Sequence, residues 1–547
     1  MRSLWPLASA LGLSLLALGG ACSDDDDPDS PAASASGPGS GGAGVGGQGE
    51  GGHGGEGGRP VEPPEKPFDW VGVIGTGQSL SIGAVAASMS TEQPYGNLKL
   101  VDDGPDPKYP IQADVGAPQW AAIPLVEPIR QHVAGAGPGY DDGQYPNNIA
   151  GETPHSGMAN TLSMLWQERG GEGEYVTAHS VVGWSGHCLQ DIDKVGGQRG
   201  YPASLNEAAV WQGLAAGAGK TFGYGGIILT HGECDGNNPD YGAGLYQLWQ
   251  DYNTDLKAIT GQQSDVVLFI SQQSTVAQNN LGNSAVQVWR AGVDHPGQIV
   301  CVGPKYQYQY AGDLIHFEAP GYERLGQKYA EVFDLVVNRK QAWKPLQPNA
   351  ITRADKVLTI AFDVPNPPLV WDAHISAPHQ EVNTAWANGR GFEVYDESGA
   401  PLTIASAEIE GDSVVLTLVD SPPTGLVRVA YAITQDGNGL QGGTDQGMRG
   451  QLRDSDEFVG WDAEMIEAQV TQGSAVIQST AAGGFVRRAG RDIVSGADVP
   501  ADTIVVSHDD NDHLTLSSPW AGASGTVMLS FRHDSYNYAV HFAMDAE

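Results

Sequence analysis

Between Phe68 and Lys340 short apolar runs alternate with amphipathic stretches, and this alternation limits the possible folds more than any other feature. The apolar runs are WVGVIG, EYVTAHSVVG, YGGIILTHG, DVVLFISQQ and QIVCVG. Such runs are typical of strands that are buried on both faces of a parallel sheet. Residues 240–259 and 318–336 carry apolar side chains every three or four positions, which predicts helices with one face on the sheet. The pattern predicts a three-layer α/β domain with a parallel sheet over residues 67–340.

The pattern changes after Lys340. The runs VLTIAFDV, FEVYD, SVVLTLVD and LVRVAYAI are separated by Gly, Pro and Asp turns, and a second series of such runs begins near residue 468. Helical periodicity is absent, so we predict one or two β-sandwich modules, over residues 341–460 and 461–547. The tryptophans Trp371, Trp386 and Trp461 are compatible either with glycan binding or with packing on the α/β domain.

The first residues predict export. Arg2 precedes an apolar run, residues 7–21, that is shorter than the roughly 20 residues needed to span a bilayer. The run ends in LALGGAC, which resembles a bacterial lipoprotein signal whose cysteine, here Cys22, is lipidated, although Gly19 replaces the usual leucine. The alternative is a secretory signal that is cut near Ala21. We expect residues 1–22 to be a signal and the exported protein to be held at a membrane of the cell envelope, at the cell surface or in the periplasm, or to be secreted.

Composition limits the partners. Residues 23–66 contain four consecutive aspartates and many Gly, Ser and Pro, which predicts a disordered tether. The whole chain has a net charge of −37, which repels phosphate backbones, so we expect no nucleic-acid partner. The cysteines Cys188, Cys234 and Cys301 lack zinc-ligand spacing, and an exported protein can oxidise one pair of them.

The first predicted strand runs into GTGQSLSIG, residues 75–83, and Ser79 lies in this Gly-rich turn. A dinucleotide fingerprint is excluded because Leu80 replaces its third glycine. The hydrolase elbow G-x-S-x-G is excluded because Ser81 replaces its last glycine. Ligands of open parallel sheets bind at the carboxyl ends of strands, so Ser79 is placed for chemistry, although a plain turn serine is the alternative.

Three further predicted strand ends carry the loops WSGHC, HGECD and DLIHF. A serine hydroxyl needs a base within hydrogen-bond reach, and His316 in the last loop can take its proton while Asp313 orients the imidazole. The backbone N–H groups of Ser79 and Gly186, with a side-chain donor from the third loop, are suitable for stabilising an oxyanion.

Each of these patterns has a simpler alternative. Asp313 and His316 are also suitable for capping the helix that follows them. The residues at alternate positions in HGECD, 231, 233 and 235, would share one face of a strand and could bind a metal. The cluster HDDNDH (508–513) has the composition of a calcium or zinc site, but we interpret it as a polar hairpin turn, and we interpret DGNG (436–439) as a turn because it lacks the later oxygen ligands of a calcium loop.

Together the four blocks resemble the SGNH (GDSL-like) hydrolase superfamily, and within it the sialate O-acetylesterase-like carbohydrate esterases. The first block of that branch reads G-Q-S, matched here by residues 77–79. Its third block reads Q-G-E, where this chain has HGE, residues 231–233, and its last block reads D-x-x-H, matched by Asp313 and His316. The resemblance covers residues 69–337 and leaves out the β modules.

The resemblance implies a flavodoxin-like fold and ester hydrolysis without a metal or cofactor. It assigns Ser79 as nucleophile, Asp313 and His316 as its partners, and Gly186 N–H as an oxyanion donor, with Gly183 as the alternative. His231 replaces the Gln of the family, so it would be the third oxyanion donor, and its protonation would add pH sensitivity. The supporting positions are Gln78, Gly232 and Glu233, and the last is expected to brace its loop.

We therefore expect an exported serine esterase that removes acetyl or other short acyl groups from a carbohydrate through an acyl-enzyme. Residues 84–154 and those after Tyr241 are expected to shape the cleft, and Cys188 is expected to lie near Cys234. One alternative is a surface glycan-binding or adhesion protein on a degenerate hydrolase scaffold. Another is an esterase that acts on lipid or peptidoglycan.

Overall fold

The computed structural model describes residues 65–102, 120–129, 151–197, 200–276, 281–435, 441–456, 464–480, 484–485, 491–510, 512–533 and 535–547. The predicted signal with Cys22, the predicted tether up to residue 64, Trp461 and the DGNG stretch lie outside the described residues. So do residues 103–119 and 130–150 of the long segment between the first two predicted strands.

The first part of the chain is an α/β domain on a seven-stranded sheet of order β3-β2-β4-β1-β5-β6-β7. Neighbouring strands run parallel except β2 and β3, which pair antiparallel. The five strands that the apolar runs predict are present, and β2 and β3 are small strands within the long segment. The bounds are β1 (Trp70–Gly77), β2 (Leu98–Asp102), β3 (Trp120–Pro124), β4 (Val176–Val181), β5 (Phe222–Thr230), β6 (Val267–Ser271) and β7 (Ile299–Gly303).

Helices cover both faces of this sheet. The helices are α1 (Pro154–Glu168), α2 (Leu189–Ile192), α3 (Gly200–Gly217), α4 (Tyr241–Thr260), α5 (Ser284–Asp294) and α6 (Ala319–Phe333), and a π-helical turn, Asp334–Asn338, continues α6. One face packs on α1 and α6 through a core that includes Leu162, Phe269 and Tyr329. The other face packs on α2 to α5. Among the described helices, none is both long and apolar enough to cross a membrane.

The rest of the chain is rich in β-strands, so the prediction of an α/β domain followed by β-rich modules is confirmed at this level. A short 3-10 turn, Thr384–Trp386, precedes the strand that begins at Phe392. The strands are β8 (Gln347–Ala354), β9 (Val357–Asp363), β10 (Val370–Trp371), β11 (Phe392–Asp396), β12 (Ile404–Glu410), β13 (Ser413–Leu418), β14 (Val427–Tyr431), β15 (Leu452–Arg453), β16 (Glu464–Val470), β17 (Val476–Ser479), β18 (Ile493–Ser495), β19 (Val505–Asp510), β20 (His513–Leu516), β21 (Gly525–Arg532) and β22 (Phe542–Asp545).

Four sheets divide these strands. Their orders are β12-β13-β9-β8, β11-β14-β22, β10-β15 and β18-β21-β16-β17-β20-β19. The four-stranded and three-stranded sheets share one apolar core. Strands such as β9 bury alternate residues, and these buried side chains face that core. The last strand, β22, follows the six-stranded sheet in the chain but pairs with β14 in the three-stranded sheet. Trp371 and Trp386 both contribute to packing within this region: Trp386 is buried, and the ring of Trp371 lies edge-on to Phe392.

The HDDNDH stretch includes parts of β19 and β20, which form an antiparallel hairpin. His513 Nδ1 lies 2.8 Å from Asp510 Oδ1 across the turn, while Asp509 accepts hydrogen bonds from Ser507 and Thr515. The side chain of His508 and residue 511 lie outside the described part of the chain. The carboxylates of Asp509 and Asp510 are thus engaged by contacts within the hairpin.

The β-rich part packs directly on the α/β domain. The ring of Trp289 in α5 lies 6.0 Å from that of Phe542 in β22, and the neighbouring Arg290 donates to Ala543 O. On α6, Arg324 forms a buried ion pair with Asp492. The helix that follows the predicted catalytic loop is therefore held by residues from the far end of the chain.

Two histidines are buried in the α/β core. His155 at the start of α1 and His179 in β4 place their Nδ1 atoms 2.8 Å apart, and His155 lies against Gly75 of β1. Burial lowers the pKa of His155 from 6.5 to about 3 and also lowers the pKa of His179. Both rings are consequently neutral in the folded protein, and their protonation favours unfolding.

We predict that the His155→Gln variant loses less stability in acid than the wild type does. Below about pH 6.5 the histidine is protonated in the unfolded chain but stays neutral in the folded protein. The free energy of unfolding therefore falls by up to about 1.4 kcal/mol per pH unit for each such histidine. Urea unfolding between about pH 7 and pH 5 measures this slope. The exposed His374→Gln is the control and should keep the wild-type slope; equal slopes for all three proteins would contradict the prediction.

Candidate active site

Ser79 lies at the carboxyl end of β1, in a 3-10 turn over Ser79–Ser81. Gly77, which ends β1, has a φ of 131°, and a Cβ there would overlap Thr230 O, so only glycine fits. The hydroxyl of Ser81 donates to Gln78 O at 2.6 Å and closes the turn. The turn is held between β1 and β5, so the position of Ser79 is fixed by the sheet.

Ser79, His316 and Asp313 form a hydrogen-bonded chain. Ser79 Oγ lies 2.7 Å from His316 Nε2, and His316 Nδ1 lies 2.6 Å from Asp313 Oδ2. Because a carboxylate accepts hydrogen bonds, Nδ1 carries the imidazole proton, and Nε2 accepts from the serine hydroxyl. These distances lie within the range of about 3 Å that proton transfer requires.

The loop itself orients Asp313. Its Oδ1 accepts the backbone N–H groups of Ile315 and His316, both at 3.0 Å. Partial burial opposes ionisation of Asp313, but the hydrogen bonds from the His316 ring and from these two N–H groups lower its pKa below the ordinary value. Asp313 and His316 do not cap the following helix, since Glu318 is the N-cap residue of α6. The carboxylate is therefore ionised at neutral pH and directed at the imidazole.

The loop after β4 runs beside the Ser79 turn. Trp184 N–H donates to Gly77 O at 2.8 Å, which continues the pairing of β1 and β4 beyond the strands. Gly183 packs against Ser81, because a Cβ at Gly183 would overlap Ser81 Oγ. Gly186 lies further along at a φ of 72°, is exposed, and would carry a Cβ in open space. Gly183 is thus the glycine that contacts the turn.

His231 is fully buried, and both ring nitrogens are engaged. Nε2 lies 3.0 Å from His187 O and Nδ1 lies 2.9 Å from Tyr241 Oη. Nε2–H therefore donates to the carbonyl, and Nδ1 accepts from the tyrosine. Burial lowers the pKa of His231, although Asp235 opposes the shift. Because both ring nitrogens are engaged, neither has an N–H left for an oxyanion, which corrects the expected donor role of His231.

Glu233 forms a buried ion pair. Its Oε1 accepts from Lys305 Nζ at 2.6 Å, and the side chains are 6% and 0% exposed. The pair joins the loop after β5 to the loop after β7. Gly232, which precedes Glu233, has a φ of 125°, and its carbonyl accepts from Ser284 Oγ at 2.7 Å. The ion pair therefore places Glu233 where it can brace its loop.

Further bonds join the loops after β1, β4 and β5. Gln78 Oε1 accepts the N–H of Cys234 at 3.3 Å, and Asp235 Oδ2 accepts the N–H of Leu189 at 2.7 Å. Cys188 and Cys234 form a disulfide with their Cα atoms 5.0 Å apart, while Cys301 is free and buried. Three loops from three strands are thereby locked together at one edge of the sheet.

The described residues show no cluster of three or more His, Cys, Asp or Glu arranged to hold a metal. In HGECD, His231 and Glu233 have the partners given above. Asp235 accepts from Leu189 N and from Asn238 Nδ2. Each of the three side chains that the metal alternative requires therefore has a partner within the protein.

Two buried carboxyl groups fasten the described ends of the long segment 84–154 near the site. Glu152 accepts from the N–H groups of Met89 and Ser90, and its burial raises its pKa to about 8. Glu127 accepts from Thr153 Oγ1 at 2.5 Å, and its burial raises its pKa to about 7. Sequence reasoning missed both residues, because only their burial, which depends on the tertiary fold, distinguishes them from other glutamates.

No family model matches this sequence, and no curated protein matches it. A solved protein from Arabidopsis thaliana is 12% identical with a TM-score of 0.32, over 49% of this chain and 98% of that one. A carbohydrate acetylesterase from Xanthomonas citri is 10% identical with a TM-score of 0.42, over 66% and 75%. NanS is 12% identical with a TM-score of 0.33, over 50% and 98%. Similarities at this level do not assign a function to this chain.

We predict that removal of the Cys188–Cys234 disulfide destabilises the protein. The bond closes a loop of 46 residues, which corresponds to about 3 to 4 kcal/mol in the chain-entropy model. Thermal unfolding of Cys188→Ser/Cys234→Ser should give a lower Tm than the wild type, and a reductant should lower the wild-type Tm but leave that of the double variant unchanged. The Cys301→Ala variant is the control and should keep its sensitivity to the reductant. A wild-type Tm that stays constant after measured reduction would refute this role.

Proposed function

We propose that this protein is a serine esterase in which Ser79 is the nucleophile, His316 the general base and Asp313 the residue that orients the base. The observation that carries the proposal is the unbroken chain from Asp313 Oδ2 through the imidazole to Ser79 Oγ, with distances of 2.6 and 2.7 Å. A serine hydroxyl is a weak nucleophile without such a base.

In the acylation step, Ser79 Oγ attacks the ester carbonyl while its proton passes to His316 Nε2. The ionised Asp313 stabilises the imidazolium that forms. Collapse of the tetrahedral intermediate breaks the bond to the alcohol, which leaves with the proton from His316. Water then attacks the acyl-enzyme by the same route, which releases the carboxylic acid and restores the serine.

The oxyanion needs N–H donors. Ser79 N–H lies at the first position of its 3-10 turn, where helical geometry leaves N–H groups without intrahelical acceptors. We propose this group and Gly186 N–H as donors, with Gly183 as the alternative. His231 is left out, and its bond to His187 O instead gives it the role of holding the Gly186 loop.

We propose acetyl or short acyl esters of carbohydrates as substrates, on the strength of the four sequence blocks and their resemblance to sialate O-acetylesterase-like enzymes. A flavodoxin-like SGNH domain over residues 67–340, with β-sandwich modules over 341–460 and 461–547, belongs to the same proposal. Export and lipidation at Cys22 rest on the N-terminal sequence. The adhesion alternative predicts either that Ser79 and His316 are not in contact or that their mutation leaves function intact; their hydrogen bond counts against the first, and the Ser79→Ala variant tests the second.

We predict that Ser79→Ala lowers kcat for p-nitrophenyl acetate hydrolysis by at least about 10³-fold, in line with loss of a triad nucleophile. An alkyl fluorophosphonate should add one adduct to the wild type, seen by intact mass, and none to Ser79→Ala. The exposed Ser398→Ala is the matched control and should keep both properties. Equal rates in Ser79→Ala and the wild type would end the esterase assignment.

The substrate class has its own test. Acetylated oligosaccharides, acetylated peptidoglycan fragments and short-chain phospholipids are compared by kcat/KM, with release of the free acid as the measurement. The proposal expects the highest value for the oligosaccharides. A preference for phospholipids or peptidoglycan fragments would keep the serine chemistry and move the substrate to the other class.

A further inference from the structure

The catalytic loop contains a residue with an unfavourable backbone conformation. Leu314 lies between Asp313 and His316 and has a φ of 58°, in the left-handed region that leucine seldom adopts. Its N–H donates to Ala311 O at 2.9 Å within the loop. Such conformations persist only when the surroundings hold them.

The β-rich part of the chain supplies the second contact. Gly442 N–H donates to Leu314 O at 2.7 Å, so the carbonyl at the strained position is fixed from outside the α/β domain. The preceding residue, Gln441, donates its N–H to Thr275 O in the loop after β6 at 3.3 Å. Two consecutive backbone groups of the β-rich part therefore bond to two loops at the carboxyl edge of the sheet.

The fit at Gly442 leaves no room for a side chain. A Cβ there would lie 2.5 Å from Tyr310 Cε1 and 2.6 Å from Thr275 Cγ2. Tyr310 itself forms a β-bridge with Phe317, and their rings meet edge-to-face at 4.8 Å. The bridge closes the base of the loop that carries Asp313 and His316, so the backbone of Gly442 packs on the base of the catalytic loop.

The segment around Gly442 is itself anchored. Ser376 N–H donates to Thr444 O at 3.0 Å, and Arg449 Nε donates to Ser376 O at 2.9 Å. Gly447 has a φ of 78° and packs so closely on Gln441 that a Cβ there would overlap its carbonyl. The contact surface presented to the catalytic loop is consequently built into the β-rich part.

We propose that Gly442 is a positioning residue of the active site: its N–H and its lack of a side chain hold Leu314 in the left-handed conformation, which aims His316 Nε2 at Ser79. The inference rests on the proposed function for its kinetic consequence. On this proposal the β-rich part contributes to the geometry of the catalytic centre, since the orientation of the His316 imidazole depends on a residue outside the α/β domain.

The test is Gly442→Ala in the full chain. The added Cβ pushes the segment away from Tyr310 and Thr275, which lengthens the bond to Leu314 O. A displacement near 1 Å at a catalytic group can cost about 10²-fold, so we expect kcat for p-nitrophenyl acetate to fall about 10- to 100-fold with little change in KM. Gly213→Ala in α3 is the matched control, because a Cβ there meets no atom within 4 Å. It should keep the wild-type kcat.

A rescue variant separates positioning from folding. Asparagine adopts the left-handed region more readily than leucine, so Leu314→Asn needs less support from Gly442. The double variant Leu314→Asn/Gly442→Ala should recover part of the kcat that Gly442→Ala loses. A loss in Gly442→Ala that only follows the unfolded fraction seen in thermal melts, with no recovery in the double variant, would overturn the proposal.

A second readout does not depend on esterase activity. In protein labelled with ¹⁵N-histidine, the proton on His316 Nδ1, assigned with His316→Gln, reports the bond to Asp313. We expect its resonance to shift or broaden in Gly442→Ala and to stay unchanged in Gly213→Ala. If the wild type hydrolyses no ester, the proposed function fails while this comparison still decides the positioning role. Unchanged resonance and unchanged kcat in Gly442→Ala would refute it.

Discussion

The parallel pairing of β4, β1, β5, β6 and β7 is the constraint on which the site depends. Parallel strands end at one common edge, so the loops that follow them must meet there whatever their distance in sequence. Ser79 follows β1 and His316 comes after β7, and a hydrogen bond of 2.7 Å joins their side chains although β5 and β6 separate the two strands in the sheet. The sheet brings the reacting groups together, and the loops only adjust their final orientation.

That adjustment uses bonds of several kinds. A disulfide joins Cys188 to Cys234, a buried ion pair joins Glu233 to Lys305, and neutral His231 donates to His187 O. Each contact joins loops from different strands, so their effects on loop position combine. A buried ion pair contributes little net stability, but the loss of one partner is costly because the other charge remains buried. These contacts therefore favour one arrangement of the site over others.

Much of the α/β domain could be predicted from sequence, because its strands are continuous apolar runs and its helices have a clear apolar stripe. The grouping of Ser79 with Asp313 and His316 also followed from their places at predicted strand ends. The role of His231 did not, since a sequence cannot tell whether a histidine at a loop start faces the cleft or the core. The contribution of Gly442 could not be predicted for another reason. A glycine among other glycines indicates only a turn, and the close packing of Gly442 on Tyr310 is a tertiary contact that the sequence does not show.

The return of β22 to the sheet of β11 and β14 affects how the six-stranded sheet is attached. The chain leaves the first β region after β15, which pairs with β10, builds the six-stranded sheet, and comes back to pair β22 with β14. That sheet is thus a nested insertion with two covalent connections to the first β region, and not a terminal domain attached through one linker. Two attachment points restrict rotation of the insertion, so any ligand it carried would be presented to the rest of the molecule from one fixed direction.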